Sequence, residues 1–70
     1  ERRQLGRAIV QAADLLPGDQ RAALVLAAFH GLSILEIAEV LTIPESTAKT
    51  RLFRAREKMR AALKSEWRTP

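Results

Sequence analysis

Seventy residues with 47% apolar and 29% charged side chains suffice for one small core, in which about 60% of the unfolded surface is buried. No cysteine is present, so neither a disulfide nor a thiolate metal site holds the chain, and the single His30 is too little for a zinc site. Net charge is +4 and unevenly spread: residues 1–43 carry four cations and five acids, residues 44–70 eight cations and three acids. A cationic half beside a faintly acidic one suits either a polyanion-binding face or a solvated surface helix. Three aromatics and no Tyr argue against a β-rich protein. The longest apolar run, Ala22 to Phe29, is too short to span a bilayer. The chain opens on Glu1, Arg2 and Arg3 with no initiating Met. It is expected to be a cytoplasmic fragment of a longer protein, with residues 1–70 forming a single domain.

Taken in chain order, Leu5, Ile9, Ala12 and Leu16 recur at helical spacing and predict a first helix over Arg3 to Leu15. Pro17 and Gly18 break it. Pro17 is expected to serve as an early residue of a second helix, where its missing N–H costs nothing, and that helix runs to Phe29 or His30. Gly31 is placed for a left-handed C-terminal cap, with Leu32 as its apolar contact. Ser33 and Glu36 spell a capping box that opens a third helix at Ile34. Its apolar face is Ile34, Ile37, Ala38 and Leu41, and small Ala38 stands where two helices must cross closely. Thr42, Ile43 and Pro44 end it, and Pro44 pre-sets a fourth helix over Glu45 to Lys64.

On that helix Ala48, Leu52, Ala55, Met59 and Ala62 step by four, three, four and three, a narrow seam for the core. Thr50 and Glu57 lie opposite the seam. Ser46, Phe53 and Arg54 flank them, with Thr47 and Lys49 nearer the edges. The expected fold is therefore all-α: four helices, with a helix-turn-helix over about residues 33–64 and a long C-terminal recognition helix.

A recognition helix enters the DNA major groove with its N-terminal half. Lys49 and Arg54 are able to donate to guanine O6 and N7; Thr47 and Thr50 suit a base edge or a thymine methyl. Phe53 either packs in the groove or folds back on the first helix. Arg51 and Arg56, closer to the seam, are better placed for phosphates. Two helix starts, near Ser33 and Glu45, offer free N–H groups to a phosphate, although Ser33 reads first of all as a plain cap. His30 suits the negative end of the second helix. No paired carboxylates, no nucleophile beside a base and no glycine-rich phosphate loop are present, so neither an enzyme nor a cofactor is expected.

The ordered set Leu16-Pro17, Gln20-Arg21, His30-Gly31-Leu32-Ser33, Glu36-Ile37-Ala38 and Thr47 through Arg56 resembles region 4 of bacterial sigma-70-family sigma factors, most of all the extracytoplasmic-function group. The resemblance implies recognition of the promoter −35 element through the last helix, with Lys49, Thr50, Phe53 and Arg54 at base-reading and groove-packing positions. It also implies docking on the β flap of RNA polymerase core, and masking by an anti-sigma protein. The second helix, apolar on every side, fits that implication: Leu24, Val25, Leu26 and Phe29 exceed one buried stripe and form either a partner patch or a side buried by neighbours. Two positions depart from the family pattern. Thr42 replaces a usual Gly, which costs about 1–2 kcal/mol if the residue is left-handed, and Ala48 replaces a usual Val or Ile. A LuxR-type output domain shares the Gly31-Leu32-Ser33 block, and a sigma-like protein-interaction module that has lost DNA binding is a third reading.

Overall fold

The computed structural model describes residues 2–67, with the side chains of residues 6–64. Four helices follow one another: α1 (Arg2–Asp14), α2 (Gly18–Ala28), α3 (Ile34–Leu41) and α4 (Glu45–Trp67). The predicted all-α, four-helix order is the observed one. At a rise of about 1.5 Å per residue, the 23 residues of α4 account for most of the 41 Å long axis. The other three helices pack along that rod.

Each boundary has a local cause. Pro17 lies outside α2 rather than in its first turn: its φ of −54° and ψ of 147° make it the N-cap, and its carbonyl accepts the Arg21 N–H at 2.9 Å. The proline ring fixes φ but leaves ψ free, so the same residue suits a cap as well as a first turn. α2 ends at Ala28, slightly before the expected Phe29. Gly31 then takes φ +67°, and the chain folds back so that the Leu32 N–H reaches the Leu26 carbonyl at 3.0 Å.

α3 carries both hydrogen bonds of the capping box. The Ser33 N–H donates to Glu36 Oε1 at 2.8 Å, and the Glu36 N–H donates to Ser33 Oγ at 3.1 Å. At the other end Thr42 is left-handed, with φ 57° and ψ 51°. The Ile43 N–H bonds back to the Ala38 carbonyl and the Thr42 N–H to Glu39, at 3.0 and 3.3 Å. This is the double closure of a Schellman turn, made here without glycine. The turn keeps its shape, and the chain accepts the strain of a β-branched residue within it.

Two clusters form the core. Ala23, Ile37, Ala38, Ala48 and Leu52 join α2, α3 and the front of α4. Ala12, Leu16, Ala55 and Met59 join α1 to the middle of α4, and Leu24 packs against both. The predicted seam is thus buried at Ala48, Leu52, Ala55 and Met59 and half-buried at Ala62. Ala23, Ala48 and Ala55 are wholly inaccessible, because alanines let helix backbones approach closely. Leu5, the first residue of the predicted α1 stripe, lies outside the described side chains. Gln20 is the buried polar side chain among the described residues, and its Oε1 has no partner there.

Candidate nucleic-acid interface

The face of α4 away from the seam is open. Ser46, Lys49, Thr50, Phe53, Arg54 and Arg56 are exposed, and Thr47 and Arg51 are half-buried. Phe53 is 63% exposed and belongs to neither core cluster of the described residues, which leaves a large apolar ring on a polar face. Pro44 supplies the carbonyl that accepts the Ala48 N–H at 3.0 Å, which closes the first turn of the helix ahead of Lys49, Thr50, Phe53 and Arg54.

A shallow cleft of about 270 Å³ draws Ser46, Thr47, Thr50, Arg51 and Arg54 together with Asp19 from the first turn of α2. Lys49, Phe53 and Arg56 are not among its lining residues. Arg51 faces Asp19, with Nε 3.6 Å from Oδ2. Ser33 is occupied as the α3 cap, which leaves its hydroxyl hydrogen free to donate. Hydrogen bonds from the Ser33 backbone and side chain hold the Glu36 carboxyl below its ordinary value. Further along α4, Glu57 and Arg60 form an exposed pair one turn apart.

Asp19 is the member of this cleft that sequence reasoning did not find. It is far from α4 in the chain, and no spacing rule ties an acid at one helix start to a cation on another helix. The only available signal was its position in the first turn of α2, where an acid also serves the helix dipole.

Residues 6–59 match the family described as Sigma-70, region 4. The chain belongs to that family. Among curated relatives, the RNA polymerase sigma-H factor of Pseudomonas aeruginosa is 42% identical over 62 residues, covering 89% of this chain and 32% of that protein. The ECF RNA polymerase sigma factor SigW of Bacillus subtilis is 41% identical over 61 residues, 87% of this chain and 33% of that one. The ECF RNA polymerase sigma-E factor of Escherichia coli K12 is 39% identical over 54 residues, 77% and 28% of the two chains. The chain thus spans about a third of the length of these relatives, and it is a region 4 domain of the extracytoplasmic-function group.

In this region 4 domain the second-helix residues divide between core and surface. Leu24 and Leu26 pack against the core, so they are mainly structural rather than a free partner surface. An apolar stripe this wide is needed because α2 touches both α3 and α4. Val25 is half-buried, and Phe29, past the last turn of α2, is 71% exposed. Among the described residues no helix is long and apolar enough to cross a membrane.

Proposed function

We propose that this domain is the promoter-reading end of a sigma factor: it lays the N-terminal half of α4 in the major groove of the −35 element while docked on RNA polymerase core. The observation that carries this reading is the open hydroxyl, aromatic and cationic face from Ser46 to Arg56, braced from behind by an alanine-lined core. Lys49, Thr50 and Arg54 read base edges, with Ser46 and Thr47 beside them at the helix start. Phe53 packs on a thymine methyl or sugar. Arg51 and Arg56 face the phosphates, and the Ser33 hydroxyl with the start of α3 takes another. The role is binding, not catalysis, and its place is the bacterial cytoplasm. Phe29 with Val25 offers the apolar contact for the β flap of polymerase core, or for an anti-sigma protein that competes with it.

The test uses duplexes selected by this chain from a randomised pool and scrambled duplexes of equal composition. Arg54→Ala is expected to weaken the selected duplex by about 1–3 kcal/mol and to relax its sequence preference. Equal loss on both duplexes would move Arg54 to the phosphates. With about four phosphates neutralised, log K falls against log salt with a slope of about −3.6. A flat line, together with capture of polymerase core, would leave a protein-interaction module in place of a DNA reader.

A further inference from the structure

Asp19 is a negative charge set among residues that would face a polyanion. One of its carboxylate oxygens is fixed: Oδ1 accepts the Gln20 N–H at 2.9 Å. The other, Oδ2, lies 3.6 Å from Arg51 Nε, an ion pair rather than a hydrogen bond. Both side chains line the same cleft as Ser46, Thr47, Thr50 and Arg54. Arg51 is also the recognition-helix cation closest to the core, its side chain 29% exposed and Asp19's 51%.

We propose that Asp19 is a selectivity residue of the DNA interface, holding Arg51 in the cleft and away from the phosphates of any duplex that does not fit. The inference rests on the DNA-reading role proposed above. Phosphate contacts give affinity without sequence information. A phosphate approaching Arg51 also approaches the Asp19 carboxylate, and the like charges repel at a separation shorter than the Debye length of about 8 Å at physiological salt. On a random duplex Arg51 stays paired with Asp19. On a duplex that seats Thr50 and Arg54 on their bases, the backbone is brought close enough to compete for it. Asp19 thus lowers non-specific binding more than specific binding and raises the ratio between them.

The experiment is a double-mutant cycle of Asp19→Asn and Arg51→Gln on the 70-residue chain, with selected and scrambled duplexes titrated across a salt series and melting curves taken for each variant. Asp19→Asn is expected to bind the scrambled duplex about threefold or more tightly, with a salt slope steeper by about 0.9, the increment for one more phosphate. The selected-to-scrambled ratio should fall. In the Arg51→Gln background the same change should have little effect, because the cation it releases is gone. Three results overturn the inference: Asp19→Asn leaves slope and ratio unchanged, it weakens both duplexes, or its gain persists undiminished without Arg51. The last would be a general effect of net charge. In each of these cases the parent still prefers its selected duplex, so the DNA-reading role survives. A parent that binds neither duplex sinks both.

Discussion

The front and the middle of α4 are held in different ways. In front, Ala48 and Leu52 sit against Ala23, Ile37 and Ala38, with a ring of partly buried Leu24, Leu26, Leu32, Ile34, Leu41 and Ile43 around them. Further back, among the described residues, Ala55 and Met59 cluster with Ala12 and Leu16, edged by Ile9, Ala13, Leu24, Ala62 and Leu63. Two helices clamp the front, whereas the middle rests mainly on the α1 side, with Leu24 of α2 at its edge. The difference teaches where rigidity would matter under the proposed DNA-reading role: Thr50 and Arg54 would then have to meet base edges closely, whereas the distal part of the rod has only to stay helical.

The sharpest way to break that comparison is to empty each cluster in turn. Ile37 is the large side chain that is fully buried, at 0% exposure, while Met59 retains 9%. Ile37→Ala is expected to cost about 2–5 kcal/mol through lost transfer energy and the cavity left behind. In a domain this small that is most of its stability, so DNA binding is lost with the fold. Met59→Ala should fall at or below the lower end of that range, because a flexible side chain at the edge leaves a site that solvent and neighbours can refill. Thermal melts order the two variants. If Met59→Ala proved the more damaging, the front cluster would not be the domain's anchor.

Much of this architecture is legible in the sequence because it is local. The Ser33–Glu36 capping box, the stop at Thr42-Ile43-Pro44 and the Ala48-Leu52-Ala55-Met59 seam each depend on spacing within one helix. The candidate DNA face follows from the same wheel, since whatever is opposite the seam is open. What was not legible depends on two helices at once. Leu24 and Leu26 could be assigned to the core only after α3 and α4 were placed around α2. Asp19 entered the interface only once the start of α2 was seen beside Arg51. Pro17 is a subtler case: its ring dictates φ, and the ψ that decides between cap and first turn is set by how α1 hands over to α2.

The two left-handed residues sharpen the comparison at the next level of effect. Gly31 closes α2 and Thr42 closes α3, at φ 67° and 57°. Beyond Gly31 and its two chain neighbours, nothing lies within 4 Å of where a Cβ would stand, so Gly31→Ala tests backbone conformation alone. It is expected to destabilise by about 1 kcal/mol. Thr42→Gly should do the reverse. Relief of about 1–2 kcal/mol of left-handed strain is offset in part by the added chain entropy of glycine, about 0.5–1 kcal/mol, for a gain of about 0–1.5 kcal/mol. Chemical denaturation of both variants reads the signs. A loss of stability in Thr42→Gly would mean that the Thr42 side chain contributes contacts that offset its strain.

The smallest expected effect lies at the entrance to the front clamp, where the Glu36 carboxylate accepts the Ser33 N–H. Those hydrogen bonds lower its pKa in the folded chain relative to the unfolded one. The charged form is therefore favoured by folding: its contribution is complete above the ordinary carboxylate value and disappears as pH falls through the lowered one. Glu36→Gln keeps an acceptor of the same length in the capping box and removes the charge. Melting temperature measured against pH for parent and variant should give curves whose separation shrinks below the carboxylate range and stays constant above it. Because the other acids titrate alike in both chains, the difference isolates Glu36. A separation that does not change with pH would mean that the cap holds α3 by hydrogen-bond geometry alone, and that the charge at the start of the helix contributes nothing to the clamp.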